Sequence, residues 1–543
     1  MNDRKTLLVL CLILSLSAAA LGQTSSSPKK LDAAAWRSDL KHMAEQIVAV
    51  HKDPFNKITR DEFSAAVAEL DAKIPSLDDN EIVVGMMRLV AMIGDGHTGL
   101  RWGTIATDGV LPVRFYQFED GIYIRNAGKP HEELVGAKLL AVNGVPVNAA
   151  LKRIEPIIWR DNPMGVRSTA PAYLSVPPIL QALGLASARD LASFTLLKNG
   201  RERTVELSPA APLANLWNPP AGWATAQRHD VTTPLWLRSN RENFWFEYLS
   251  ASKTFYIQFN AVQNTPDETA EAFFQRAFAA AERSEAERLV LDMRNNGGGN
   301  NYLNRPLTIG AIKSRFNQRG KFFVIIGRET FSAAQNAVND LEKYTNAIFV
   351  GEPTGASPNH FGDARPITLP NSGIRLQAST LWWQDKDPRD DRIWKAPDIA
   401  ADLKFEYFQD GRDPAMEAIL EYKGGPTLQD IVNEARATGD LDRFIIRFNE
   451  FRKDPRNKYA DTMGTLNRVG HFLLNNDRAD DAMKVFLLNA EHHPSEAIVY
   501  QSLGDIYAFK GDKQKALESY KMAVSLDPKL TASVGAIKAL SEK

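Results

Sequence analysis

Cysteine and surplus charge are both nearly missing from this sequence. Cys11 is the one cysteine among 543 residues, which excludes a framework of disulfides and every metal or iron–sulfur site built from several cysteines. The 65 Lys and Arg residues almost balance the 66 Asp and Glu residues, so the basic excess that is typical of nucleic-acid-binding proteins is missing from the totals. We therefore expect no nucleic-acid partner.

Several motifs that would identify a cofactor or metal enzyme are also missing. The nine histidines include no HExxH pair of the zinc-protease type. The three successive glycines at 297–299 are not followed by the Lys-Ser or Lys-Thr of a phosphate-binding loop, and no GxSxG sequence of an α/β-hydrolase occurs. The sequence therefore predicts neither a metal site nor a cofactor.

The longest apolar run lies at the start of the sequence. It covers residues 7–21, follows a basic start and ends in small residues, and it is shorter than the ~20 residues that a membrane-spanning helix needs. This layout predicts a secretory signal peptide over residues 1–22, and an uncleaved anchor is the alternative. We expect a periplasmic or secreted protein that loses Cys11 with its leader and has no later membrane span.

The spacing of apolar residues changes several times after this leader. Helical spacing over residues 32–105 predicts an N-terminal helical domain, and short strands with Asn-Gly turns over 106–208 predict a small β-rich module. A Pro- and Trp-rich connection covers 209–245. Over residues 246–421 strands and helices alternate, which indicates an α/β domain with its functional loops at the ends of the strands.

An internal repeat occupies the C-terminal region, residues 427–543. Gly470 corresponds to Gly504 and Phe486 to Tyr520, a spacing of 34 residues in both cases. Small residues at a contact of two helices, with aromatic residues facing them, are typical of helix–turn–helix stacks. The region resembles tetratricopeptide repeats, and a generic helical bundle is the alternative.

Three short windows contain residues that can carry chemistry. Ser332 stands at the start of a predicted helix, either as its N-cap or as a nucleophile beside backbone N–H groups that stabilise an oxyanion. The glycines at 297–299 form either a tight structural turn or a loop whose N–H groups point into a site. His97, between Gly and Thr, is either structural or catalytic.

Taken together, these windows resemble the tail-specific (C-terminal processing) serine proteases, in the branch with the tricorn-core and interphotoreceptor-retinoid-binding-like proteins. The resemblance covers about residues 35–421 and is carried by DGHT at 95–98, LDMRNNGGG at 291–299, TFSAA at 330–334, GEPTG at 351–355, LPNSG at 369–373, PDI at 397–399 and GRDP at 411–414. It implies a β/α catalytic domain with a helical N-terminal part, and it identifies residues 106–208 as PDZ-like.

The resemblance also implies the nucleophile and its oxyanion donors. Ser332 matches the nucleophile of the family, and the N–H of Ala333 matches one oxyanion donor. The second donor is expected from the glycines at 297–299, with Gly298 as the best match.

The general base is where the sequence departs from many members of the family. Those members use a Lys in a Gly-Lys-Gly context, but residues 351–358 contain no Lys. The tricorn-like branch uses a His from the N-terminal part, which implies His97 as the base. Glu352 and Asp95 are candidates for the carboxylate that orients it, and His360 is a rival base.

The function that the resemblance implies is an exported serine endopeptidase. It would act on a protein or peptide substrate through an acyl-enzyme, while the tetratricopeptide surface would hold a protein partner or a second protomer. A non-catalytic scaffold that binds a ligand or a protein, and a hydrolase of small esters or amides, are the alternatives. The oligomeric state is left open.

Overall fold

The structure is a computed structural model that describes residues 31–100, 109–212 and 219–542. The expected signal peptide at 1–22, including Cys11, lies outside these ranges. No helix within them is both long enough and apolar enough to cross a lipid bilayer.

The N-terminal part consists of three helices and a very short strand. These elements are α1 (Ala33–Val50), α2 (Arg60–Lys73), α3 (Asp79–Ala91) and β1 (Gly99–Leu100). Each helix begins at a side-chain cap, because Asp32, Thr59 and Asp78 accept a backbone N–H from the first turn that follows them. The segment 95–98, which includes His97, connects α3 to β1.

The β-rich module follows as an antiparallel sheet with three helices. Its elements are β2 (Val113–Phe118), β3 (Gly121–Ala127), β4 (Lys138–Val142), β5 (Val145–Pro146), α4 (Val147–Ile154), α5 (Pro163–Tyr173), α6 (Pro177–Ala182), β6 (Ala192–Lys198), β7 (Arg201–Leu207) and β8 (Ala224–Thr225). The strand order is β2-β3-β4-β6-β7, with β5 beside β4 and β8 beside β3. One buried cluster joins this module to the N-terminal helices, so the two parts share a single core.

The α/β domain contains a six-stranded sheet in the order β16-β13-β12-β11-β10-β9. Its elements are β9 (Phe244–Leu249), β10 (Thr254–Phe259), α7 (Ala270–Arg283), β11 (Arg288–Asp292), α8 (Arg305–Lys313), β12 (Phe322–Ile326), α9 (Ala333–Tyr344), β13 (Ile348–Gly351), β14 (His360–Thr368), β15 (Arg375–Trp383), β16 (Ile399–Ala400), α10 (Phe405–Gln409) and α11 (Pro414–Leu420). All pairs in the sheet are parallel except the antiparallel pair of β9 and β10. The expected α/β class is confirmed.

Helices cover both faces of this sheet, which explains why every residue of β10 and β12 is buried. Phe255 and Ile257 pack under α7, α8 and α9, whereas Tyr256 packs in a second cluster with residues of α11. Because β11 and β12 are parallel neighbours, the loops that follow them, at 293–299 and 327–332, meet at one edge of the sheet. This edge carries the glycine loop and Ser332.

A hairpin of β14 and β15 connects the N-terminal part to the α/β domain. Gly99 in β1 pairs with Gln377 in β15, and the side chain of Gln377 donates a hydrogen bond to the carbonyl of His97 at 2.9 Å. The sequence analysis did not predict this hairpin, nor that the sheet begins at Phe244 inside the predicted connection. The hairpin positions His97 beside the loops of the α/β domain.

The C-terminal region is entirely helical among the described residues from 427 onwards. Its α-helices are α12 (Leu428–Thr438), α13 (Leu441–Lys453), α14 (Thr462–Leu474), α15 (Ala479–His492), α16 (Ala497–Phe509), α17 (Lys513–Leu526) and α18 (Thr531–Ser541). A Cβ on Gly470 would lie 2.4 Å from the ring of Phe486, and one on Gly504 would lie 2.5 Å from the ring of Tyr520. The repeated glycine therefore makes room for the repeated aromatic ring of the next helix.

Candidate active site

Ser332, between β12 and α9, has a backbone conformation that is rare for any residue except glycine. Its φ is +53° and its ψ is −128°, and its side chain makes no capping hydrogen bond to α9. The structure therefore does not use Ser332 as a conventional N-cap. Such a conformation costs of order 1–3 kcal/mol, and strain of this kind is concentrated at functional sites. Ser332 is half-buried in this turn, and in α/β-hydrolases a strained turn between a strand and a helix likewise presents the nucleophilic serine.

The strained turn is held by hydrogen bonds to the neighbouring loop. The buried hydroxyl of Thr330 donates to the carbonyl of Met293 at 2.9 Å and accepts the N–H of Gly327 at 3.0 Å. The N–H of Phe331 donates to the carbonyl of Asn296 at 3.0 Å. These bonds join the loops after β11 and β12 on both sides of Ser332.

The two predicted oxyanion donors both lie at Ser332, but they differ in availability. The N–H of Ala333, at the start of α9, has no acceptor among the described residues. Gly298 has a φ of +99°, and a Cβ there would lie 2.7 Å from the Cβ of Ser332 and 2.9 Å from the nitrogen of Ala333. Its own N–H, however, donates to the side-chain oxygen of Asn296 at 2.9 Å. Of these two donors, the N–H of Ala333 is therefore the one left open by the described residues.

The imidazole of His97 lies between two other rings. Its centroid is 4.5 Å from that of Phe331 and 5.7 Å from that of His360, with interplanar angles of 24° and 12°. Both ring nitrogens of His97 are buried and have no hydrogen-bond partner among the described residues, Ser332 included. The structure thus brings His97 to the turn of Ser332 without forming the hydrogen bond between them.

The surroundings of His97 favour its neutral form. Burial and the nearby His360 lower the pKa of His97 to about 4, against the opposite effect of the carboxylates of Asp95 and Asp363. A neutral imidazole with free nitrogens can accept a proton at neutral pH.

Asp95 fixes the backbone of His97 and not its ring. One carboxylate oxygen accepts the N–H of His97 at 2.8 Å. The other accepts the hydroxyls of Thr98 at 2.6 Å and Ser379 at 2.5 Å, and the Nε2 of His51 lies 3.1 Å from it. Asp95 is therefore fully engaged in a buried network that anchors the segment at 95–98.

The hydrogen bonds of His51 define the tautomer of its neutral ring. The N–H of Asp53 donates to its Nδ1 at 3.0 Å, so the proton of a neutral ring must lie on Nε2, which donates to Asp95. The sequence analysis missed both His51 and Ser379. No local pattern marks them, because they lie 44 and 284 residues from Asp95 and reach it only in the folded chain.

A second carboxylate, Asp161, supports the same segment. It accepts the N–H of Gly96 at 2.6 Å and the N–H of Ser357 at 3.3 Å. Burial and the charge of Asp95 raise the pKa of Asp161 to about 7.

The backbone beside His97 also requires a glycine. A Cβ on Gly96 would lie 2.8 Å from the ring of Phe331, because that ring approaches the backbone closely.

Glu352, a predicted candidate for the acid that orients His97, does not contact it. Its carboxylate binds the guanidinium of Arg328 at 2.5 and 2.7 Å, and Arg167 lies 3.5 Å away. Burial alone would raise the pKa of Glu352, but the charge and hydrogen bonds of Arg328, together with the charges of Arg167 and Lys458, lower this pKa to about 2. In this structure Glu352 neutralises the buried guanidinium of Arg328.

The ring of His360, the rival base, stacks on the ring of His97, with centroids 5.7 Å apart. Its Nδ1 is 3.1 Å from the carbonyl of Ser357, so this nitrogen carries a proton and donates it. Burial lowers the pKa of His360. No hydrogen bond joins it to Ser332 among the described contacts, and its ring supports the ring of His97 instead.

Two solved structures show that the chain shares their fold. Mature CPAF has a TM-score of 0.51 at 13% identity, over 75% of this chain and 98% of that chain. A CPAF mutant has a TM-score of 0.50 at 12% identity, over 73% of this chain and all (100%) of the other. The photosystem II D1 C-terminal processing protease matches at 14% identity and a TM-score of 0.36, over 72% of this chain and 97% of its own. The chain therefore has the fold of mature CPAF, in agreement with the expected α/β fold.

Sequence comparison identifies the C-terminal repeat. A tetratricopeptide repeat model matches residues 497–530, which contain α16 and α17. The predicted repeat is thereby confirmed in its second copy. No curated protein sequence matches the chain.

Proposed function

We propose that this protein is a serine peptidase in which Ser332 is the nucleophile and His97 is the general base. The observation that carries the proposal is the strained turn at Ser332, which exposes a serine beside the open N–H of Ala333 and the unbonded imidazole of His97. A serine nucleophile needs these two groups, an oxyanion donor and a base.

The reaction follows from these positions. His97 accepts the hydroxyl proton of Ser332 as its oxygen attacks the carbonyl carbon of a peptide bond. The N–H of Ala333 stabilises the oxyanion, and His97 then donates the proton to the leaving nitrogen as the carbon–nitrogen bond breaks. Water, deprotonated by His97, then attacks the carbonyl carbon of the resulting ester. The bond from this carbon to the oxygen of Ser332 breaks, the acyl group leaves as a carboxylic acid, and His97 returns its proton to Ser332.

Two adjustments are part of this proposal. The hydrogen bond between His97 and Ser332 has to form on substrate binding, as catalytic hydrogen bonds often tighten only in the substrate complex. The N–H of Gly298 becomes a second oxyanion donor only if its bond to Asn296 opens. Both changes are local, because Gly298 already packs against Phe331 and Ser332 in this turn.

The repeats and the leader complete the proposed function. Lys458 and Tyr459, between α13 and α14, bind the buried Asp402 of the α/β domain at 2.9 and 2.6 Å, so the repeats are attached near the catalytic domain. We propose that their surface holds a protein partner or substrate. Residues 1–22 would direct export.

Reaction of the intact protein with a fluorescent phosphonate that labels activated serines tests the assignment. The wild type is expected to be labelled and to cleave an unfolded protein substrate, and Ser332→Ala is expected to do neither while its circular dichroism is unchanged. Ser357→Ala is the matched control, because that hydroxyl only donates to the carbonyl of Ile393. Labelling that persists in Ser332→Ala, or a wild type that is never labelled, contradicts the proposal.

A further inference from the structure

A large cavity lies between the β-rich module, the 219–241 segment and the α/β domain. Its volume is about 480 Å³, and neither Ser332 nor His97 lines it. The walls come from β2 and β3, from the segment before β9, and from the start of the loops after β11 and β12. The cavity is therefore separate from the proposed catalytic groups, although it shares two loops with them.

Positive charge dominates the wall of this cavity. Five arginines and two glutamates line it: Arg114, Arg125, Arg241, Arg294, Arg328, Glu329 and Glu352. Arg294 is bound by Asp413 and Arg328 by Glu352. The guanidinium groups of Arg114, Arg125 and Arg241 make no hydrogen bond or ion pair with any residue that the structure describes.

Arg125 is held at the wall by aromatic rings. Its guanidinium carbon lies 4.8 Å from the ring centroid of Phe408, 5.0 Å from that of Tyr116 and 5.7 Å from that of Trp236. Burial and the nearby Arg114 lower the pKa of Arg125 to about 10, so it stays protonated at neutral pH. The charge of Glu329 acts on this guanidinium, but no described carboxylate lies within hydrogen-bonding distance of it, so its N–H groups can bind an anion.

Unpaired donors are concentrated at the same wall. The Nε of Arg125, the Nε2 of Gln227 and the Nε1 of Trp236 are buried and have no acceptor among the described residues. A buried donor that stays unpaired costs about 1–3 kcal/mol, and native proteins contain few of them. All three groups are donors, so what they lack is an acceptor of the kind that an oxyanion provides.

We propose that this cavity binds a small oxyanion with at least two negative charges, held mainly by Arg114 and Arg125. Phosphate esters and di- or tricarboxylates share this chemistry, and planar guanidinium groups bind both through paired hydrogen bonds. The volume lies within the range of about 300–1,000 Å³ that is usual for small-molecule sites. The inference goes beyond the proposed peptidase activity and does not depend on it.

The site also touches the loop that carries the nucleophile. Arg328 and Glu329 line the cavity, and Ser332 follows them in the same loop between β12 and α9. The guanidinium of Arg328 donates to the carbonyl of Gln117 in β2 at 2.7 Å, which ties this loop to the β-rich module. An anion bound between the two parts would therefore strengthen the attachment of the loop.

Isothermal titration calorimetry of the full chain tests the proposal, with inorganic phosphate and citrate as separate probes at constant ionic strength in sodium chloride. At least one probe is expected to bind the wild type. Arg114→Gln and Arg125→Gln should each weaken its affinity by at least about tenfold, which corresponds to ~1.4 kcal/mol. Arg389→Gln is the control, because that side chain is 90% exposed and does not line the cavity; its affinity should stay within about twofold of the wild type.

The outcomes separate the sources of the anion. Binding of phosphate alone indicates a phosphate ester, and binding of citrate alone indicates a polycarboxylate. Failure of both probes at about 10 mM, or equal affinities in the two cavity variants and the wild type, overturns the proposal. It is also overturned if only a peptide with a free C-terminal carboxylate binds while its amide does not. If Arg125→Gln does not fold, the result with Arg114→Gln decides.

Discussion

The imidazole of His97 stacks on the ring of Phe331, the residue before Ser332, with centroids 4.5 Å apart. This contact connects the N-terminal part of the chain to the strained turn of the α/β domain. It places an imidazole of lowered pKa at the turn of Ser332, whose φ of +53° is rare outside glycine. Phe331 thus positions the proposed catalytic pair, because its ring stacks on His97 and its backbone is bonded to Ser332.

The strain at Ser332 predicts an unusual order of stability among its variants. Ser332→Gly should be more stable than Ser332→Ala by about 1–2 kcal/mol, because glycine adopts a positive φ without the steric cost of a Cβ. Urea unfolding followed by circular dichroism measures the difference, and both variants should lose phosphonate labelling. Equal stability of the two variants would show that the turn is not strained.

The lowered pKa of His97 predicts the acid limb of the pH profile. The base must be neutral, so the labelling rate should be constant around neutral pH and fall as the pH drops through about 4. His360→Gln removes one cause of the lowering, so the pKa of His97 should rise and the limb should move to higher pH. His492→Gln in α15 is the control and should leave the profile unchanged. A limb above pH 7 would point to a different base.

Substitution of either candidate carboxylate should lower stability, but only the substitution of Asp95 should also slow labelling. Asp95→Ala leaves the donors of His97, Thr98, Ser379 and His51 without an acceptor, which should destabilise the protein by about 3 kcal/mol or more. It should also slow labelling at least tenfold, because the anchor of His97 is lost. Glu352→Gln should lower stability while labelling stays within a few fold. The reverse pattern in the labelling rates would identify Glu352 as the orienting acid.

The repeat glycines provide a matched pair of substitutions. Gly504→Ala puts a Cβ 2.5 Å from the ring of Tyr520, and this ring is fixed by the bond of its hydroxyl to Asp505 at 2.7 Å. It should destabilise the repeats by about 1–3 kcal/mol through overpacking. Gly535→Ala in α18 meets nothing within 4 Å and should stabilise by about 0.5–1 kcal/mol. Urea unfolding checks both, and phosphonate labelling should be the same in each; similar stabilities would contradict the packing.

Strands and helices with continuous or periodic apolar patterns were predictable. The strands at Thr254–Phe259 and Phe322–Ile326 have the bounds that their apolar runs indicate. The hairpin of β14 and β15 was not predicted, because charged and polar residues alternate irregularly along it and its stability comes from pairing with β1 and with itself. The start of β9 was not predicted, because Phe244 and Trp245 lie at the end of the Pro- and Trp-rich segment that was interpreted as a connection.

The sequence by itself determined the candidate residues for the proposed chemistry: a serine after a buried strand, glycines after the neighbouring strand, and a histidine at the end of the N-terminal helices. Local order and composition specify such elements, because they depend on neighbours in the chain. Only the tertiary structure decided that Phe331 and His360 enclose His97, that Asp95 binds its backbone, and that Glu352 faces Arg328. These contacts join segments that are far apart in the chain. A buried charge is costly unless it is paired, so each one binds the partner that the fold brings within hydrogen-bonding distance.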